Sequence, residues 1–170
     1  MQLETLANLA EIFGSVVVIG GLAFAAIQLA QFRRQRQDVA AIELARSFQN
    51  PEFAQALKTV LAIPPGLNAE QLRDADARNE DAAVHLSLTF ESIGIMVHRR
   101  IISIHMVWEL MGGVYLAAWA ALEEWVNDIR RQQGHEKFDE WTQWLAEQLK
   151  RFEQGQGTAP AFRRYQSWRP

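Results

Sequence analysis

The chain has 170 residues, 49% of them hydrophobic, with 17 Lys and Arg against 20 Asp and Glu for a formal net charge of -3. That balance is too mild and too mixed for a nucleic-acid reader, and the length suits a single compact core. Zero cysteines exclude disulfides, thiol catalysis and Cys-ligated zinc or iron-sulfur sites, and fit any compartment.

Residues 9–32, LAEIFGSVVVIGGLAFAAIQLAQF, hold no charge after Glu11 and are closed at once by Arg33, Arg34 and Arg36. Residues 12–29 alone extend about 27 Å as a helix, against a hydrocarbon core of about 30 Å, so the run predicts one transmembrane helix. Glu4 and Glu11 precede the run and the arginines follow it, the reverse of a cleaved signal peptide. The positive-inside rule then puts the N-terminus outside and residues 33–170 in the cytosol, with the three arginines at the membrane interface.

No Gly or Pro lies between Leu22 and Asn50, which predicts that the anchor runs on as a helical stalk. Asn50-Pro51-Glu52 gives an N-cap, a first-turn proline and an acidic first turn for a short helix through Phe53, Leu57 and Leu61, stopped by Pro64-Pro65-Gly66. Asn68 and Gln71 form a capping pattern, and the polar run 73–81 is either a solvated helix or a turn between helices.

Core helices follow. Leu86, Leu88, Phe90, Ile93 and Met96 make the first densely apolar stretch, which resumes after Arg99-Arg100. There Trp108, Met111, Tyr115, Ala118, Leu122, Trp125 and Ile129 recur at steps of three and four, the face an amphipathic helix buries. Residues 101–122 contain only His105 and Glu109 as ionisable groups and are long enough to span a bilayer. Glu109 at depth, the Gly112-Gly113 interruption and the amphipathic continuation past Glu123 favour a core helix of the bundle. A last helix carries Phe138, Trp141, Leu145, Leu149 and Phe152, ends near Gly155-Gln156-Gly157, and leaves a tail rich in Arg and aromatic residues. No strand pattern or internal repeat is visible. The expected fold is all-α, with an anchor over 1–32, a cytosolic helical domain with its stalk over 33–154, and the tail over 155–170.

AEIFGSVVVIGGLAFAAIQLAQFRRQ, followed far downstream by FESIGIMVHRRIISIHMVWELMGGVYLAAW, resembles a family of uncharacterised bacterial proteins with an N-terminal membrane helix and a small helical cytosolic domain. Its specific parts are Gln28 and Arg33 in the anchor, the segment Phe90-Glu91-Ser92-Ile93-Gly94, and Trp119. The resemblance implies a fold and a place at the inner (cytoplasmic) membrane, and it transfers no catalytic residue. The glycine or acidic residue usual after the basic pair is replaced by Ile101 to Ser103, which leaves the position of that helix break open.

Several residues are candidates for function. Gly14, Gly21 and Ala25 fall near one stripe of the anchor and suit close approach of a second helix, although Ala and Gly are common in membrane helices in any case. His98, His105 and Glu109, with His85 and Glu91 upstream, are residue types that ligate borderline metals. On one continuous helix His98 lies about 10 Å from His105, no HExxH motif occurs, and no metal, cofactor or catalytic residue is expected. Glu91 among apolar neighbours needs a partner, and Ser87 one turn earlier makes a polar seam with it. Phe162, Arg163, Arg164, Tyr165, Trp168 and Arg169 suit an interface or a partner, with docking on their own domain as the plainer reading.

Two classes of function follow. The first is a membrane-anchored interaction or assembly protein, homo-oligomeric or an accessory subunit of another membrane protein, in contact with lipid and not with nucleic acid. The second is a membrane-attached metal-dependent enzyme using His98, His105, Glu109 and Glu91. An oligomeric channel is a third reading, weakened by the hydrophobic barrier of a span whose residues 12–27 include only Ser15 as a polar side chain.

Overall fold

The structure, a computed structural model, describes residues 2–156 and 159–169; the side chains of residues 2–12, 15, 16, 30, 33–38, 40, 41, 43 and 156 lie outside the described set. The chain divides into two units, Met1–Ala40 and Ala41–Pro170.

The described residues of the first unit are all helical. Helix α1, Gln2–Ser47, carries the expected anchor and stalk as one element, consistent with the lack of Gly or Pro after Gly21. Phe13, Val18, Leu22, Phe24 and Leu29 on it are all more than half exposed. Among the described residues no helix is long and apolar enough to cross a membrane. The longest unbroken run of described side chains in this unit is 17–29, about 20 Å of helix. Residues 9–12, 15, 16 and 30, which complete the expected span, fall outside the described side chains, as do Arg33, Arg34 and Arg36.

The second unit is a bundle built by well-capped helices. Helix α2, Pro51–Leu61, starts where the Asn50 side chain accepts from the Glu52 amide at 2.9 Å and buries Phe53, Ala56 and Val60 at steps of three and four. Gly66, at φ +90, takes the left-handed turn after the two prolines. Helix α3, Ala69–Ala75, opens on a complete capping box: the Gln71 amide donates to Asn68 Oδ1 at 2.9 Å and the Asn68 amide donates to Gln71 Oε1 at 3.1 Å. Asn68→Ala is expected to lower stability by about 1 kcal/mol, read as a lower denaturant midpoint at unchanged slope.

The polar run 73–81 is helical except at Asp76: residues 73–75 end one helix and 77–81 begin the next. Asp76 ends α3 and caps helix α4, Ala77–His98, by accepting from the Arg78 amide. Leu86, Phe90, Ile93 and Val97 repeat at four, three and four and are buried; Leu88 falls outside that register and is 67% exposed. After α4 the chain reverses through Arg100, at φ +57, which occupies a conformation better suited to glycine. Ser103 then caps helix α5, Ile104–Gln133, and Gly134 ends it at φ +70. The break left open by sequence therefore lies at residues 99–103.

Helix α5 is a bundle helix that packs on α2, α3 and α6. Met111, Tyr115, Ala118, Leu122 and Trp125 of its expected stripe are buried, while Trp108 and Ile129 are half-buried at its margins. Helix α6, Glu140–Gln156, packs on both α4 and α5 with Leu145 and Leu149 fully buried. A short helix α7, Ala161–Arg164, lies in the tail, where the sequence pattern gave no sign of one. No strand occurs among the described residues.

Candidate functional site

The densest polar cluster in the bundle lies where the start of α6 meets α4 and α5. Ser87 and Glu91 project from successive turns of α4, so both reach the loop that opens α6. Ser87 Oγ donates to Asp139 Oδ2 at 2.5 Å, and Thr142 Oγ1 donates to Asp139 Oδ1 at 3.3 Å. Asp139 itself is buried and sits at φ +55, one of the few non-glycine conformations that Asp tolerates. The Trp141 amide donates to Glu91 Oε2 at 2.9 Å. From α5, the Tyr115 hydroxyl donates to the Thr142 carbonyl at 3.1 Å, and its ring stacks on Phe90 at 4.1 Å between centroids. Arg130 fastens the preceding loop through Nε to the Phe138 carbonyl at 2.8 Å and NH1 to Gln143 Oε1 at 2.6 Å.

Burial raises both carboxyls of this cluster, and the Asp139 charge acts on Glu91 as well. Burial is the main influence raising Glu91, to about 7; the Asp139 charge adds to this, Glu140 adds less, and the Trp141 and Thr142 amides oppose it. Asp139 is also raised by burial, against hydrogen bonds from Ser87 and Thr142 and the nearby Arg130. Burial holds the Tyr115 phenol well above its ordinary value, so it acts as a neutral donor. The visible work of the cluster is to satisfy amides at the start of α6 and to pin that helix to α4 and α5.

Most of the distinctive segment Phe90-Glu91-Ser92-Ile93-Gly94 belongs to this joint. Phe90 stacks on Tyr115, Glu91 takes the α6 amide, Ile93 is in the core, and Gly94 lets α6 approach. A Cβ on Gly94 would meet the Trp141 carbonyl carbon at 2.8 Å and Cβ at 2.9 Å. Ser92 turns outward and donates to the Leu88 carbonyl at 2.9 Å, and Trp119 is buried on α5.

The other candidates are dispersed. His105 Nδ1 and Glu109 Oε1 pair at 3.4 Å on the exposed start of α5, with the Phe152 ring edge-on to His105 at 5.7 Å. His98 instead packs on Trp141 and Trp144, at 4.6 and 5.5 Å between centroids. Glu91 is held by the α6 amide, so of the four suggested ligands only His105 and Glu109 meet, and among the described residues no group of three or more His, Cys, Asp or Glu could hold a metal ion. Gly14, Gly21 and Ala25 are exposed on α1, and added Cβ atoms at the two glycines would meet nothing within 4 Å.

Sequence reasoning missed Asp139, Thr142 and the role of Tyr115. The signal available was the Asp139-Glu140 start of a helix, which fits many helix openings as well. Two open troughs flank α2: an apolar one of about 540 Å³ lined by Phe48, Phe53, Leu57, Leu61, Leu110 and Val114, and a more polar one of about 890 Å³ running to Asp76 and His85.

Comparison with curated proteins and with solved structures finds no match. The profile of one family, described as a domain of unknown function (DUF4760), matches residues 15–149, from the apolar half of α1 to within α6. With most of its length covered, the chain belongs to that family.

Proposed function

We propose that this protein is a membrane-anchored helical interaction or assembly module, with residues 9–32 of α1 crossing the bacterial inner membrane and the bundle in the cytosol. The role is positional rather than catalytic: confinement to a plane raises the bundle's effective concentration toward a second copy or a neighbouring membrane protein. One observation carries the reading. Phe13, Val17, Val18, Ile19, Leu22, Phe24, Ile27 and Leu29 are each more than half exposed, and they cover every side of α1 within 17 residues. A helix apolar all round is at rest only inside protein or lipid. The family match begins at residue 15, so most of this apolar run is part of the domain itself.

The reading is tested in two steps on the full chain. Membranes from an expressing bacterium are washed with alkaline carbonate, and the protein is expected to stay in the pellet; extraction into the supernatant overturns the anchor. Native mass spectrometry after gentle release then reads the assembly. A defined homo-oligomer or a stoichiometric foreign subunit supports the reading, and a bare monomer overturns it.

A further inference from the structure

The C-terminal tail lies beyond the family match, and of its side chains at 159–169 all but the half-buried Arg164 are exposed. Phe162 is 70% exposed, Trp168 69% and Tyr165 49%, so the sequence-based reading of a tail docked on its own domain is not what the structure adopts. The three rings recur every third residue. Residues 159–170, APAFRRYQSWRP, carry three arginines and no acidic residue. Arg163 lies 5.6 Å above the Phe162 ring and Arg164 5.8 Å above that of Tyr165, which places guanidinium beside aromatic ring twice within one short segment. Among the described residues none of the three arginines forms an ion pair, although carboxylates are plentiful on the same bundle.

We propose that this tail is a second membrane contact, binding the anionic phospholipid headgroups of the bilayer that α1 crosses. Aromatic rings with a polar edge rest at the boundary between headgroups and acyl chains, and guanidinium groups pair with phosphate in a bidentate way. Charge favours this surface over an apolar protein groove: the apolar trough beside α2 has Lys58 and no carboxylate among its lining residues and so offers a tail of net charge +3 no counter-charge. The side of the membrane agrees as well. The tail shares the cytosolic side that the arginines after residue 32 mark, and the cytoplasmic leaflet is the anionic one. Lipid contact by the tail would hold the bundle at two points instead of one, restricting its rotation about α1.

This inference rests on the anchor reading, and the test separates the two. The chain has no cysteine, so Ser167→Cys offers a single attachment point for an environment-sensitive NBD dye. The labelled full-length protein is reconstituted into vesicles of phosphatidylcholine alone and of phosphatidylcholine with phosphatidylglycerol. The expected result is a blue-shifted emission only with phosphatidylglycerol, reversed at 1 M salt, where the screening length falls to about 3 Å. Replacing Arg163, Arg164 and Arg169 together by Gln should reduce the bound-to-free ratio of the tail about a hundredfold, at roughly five-fold per arginine, while the protein still floats with the vesicles. A dye that stays water-like on anionic vesicles overturns the proposal. A blue shift already present in detergent or in phosphatidylcholine alone also overturns it, by showing that the tail leaves water without anionic headgroups. Failure of the anchor reading appears separately, as loss of flotation with phosphatidylcholine vesicles after an alkaline wash.

Discussion

Gly94→Ala is expected to destabilise the bundle by about 2 kcal/mol, although alanine is the better helix former by about 1 kcal/mol. The added methyl would meet the carbonyl carbon of Trp141 at 2.8 Å, and the obstruction is backbone, which cannot swing aside as a long side chain would. The two helices must therefore separate, and such overpacking costs about 1–3 kcal/mol or more. Separation also lengthens the Trp141 amide to Glu91 hydrogen bond and loosens the Ser87–Asp139 contact, because both cross the same joint. Gly113→Ala is the matched control: it sits in helix α5 with nothing within 4 Å of the added atom. It should be neutral or raise stability by up to about 1 kcal/mol. Urea unfolding of the pair, followed by tryptophan fluorescence, decides the matter. Equal midpoints for Gly94→Ala and the parent would mean that close approach at this crossing is not what the glycine provides.

The same joint shows how far the sequence could be read. Caps were legible because their chemistry is local: Asn50 before Pro51, and Asn68 three residues before Gln71, satisfy amides within one turn. Periodicity marked the buried stripe of α5 and the Leu145–Leu149 pair of α6, since burial on one face leaves a period in the chain. Glu91 with Ser87 was identifiable as a polar seam, but its partner was not. Trp141 and Asp139 lie 50 and 52 residues away, and no period connects residues brought together by tertiary packing. Leu88 was counted in the core because it is apolar, yet its register puts it outside. The weak metal candidates are spread out for a related reason: His98 and His105 are seven positions apart in sequence, but the turn at 99–103 places one among tryptophans and the other at an exposed helix start.

The Phe90–Gly94 segment therefore accounts for packing more than for chemistry. Its carboxylate and glycine serve the α4–α6 contact, its aromatic ring stacks on Tyr115 of α5 and its branched side chain is in the core, so four of its five residues have a packing role. The proposed role of attachment and association rests on surfaces outside the joint, the apolar α1 and the aromatic-basic tail.

The joint should also make stability depend on pH, through Glu91. Its carboxyl titrates near 4.5 in the unfolded chain and is raised to about 7 in the fold, mainly by burial and next by the Asp139 charge, with Glu140 adding to it. The folded state thus holds the proton more tightly. Below pH 4.5 both states are protonated and the contribution is fully present; it declines as pH rises through about 7 and is gone above that. Taken whole, such a shift would be worth about 3 kcal/mol, but Glu91 is only half-buried and solvent screens its neighbours, so about 1–2 kcal/mol is expected. Glu91→Gln keeps an oxygen for the Trp141 amide and removes the charge. The variant should match the parent at pH 4.5 and exceed it by about 1–2 kcal/mol at pH 8. Asp139 remains in both proteins, as do Glu140, Arg130 and the Tyr115 phenol, so the difference between the two curves isolates the Glu91 carboxyl. A constant difference across that range would show that the Glu91 carboxyl is not raised in the fold, and that the α6 amides offset burial.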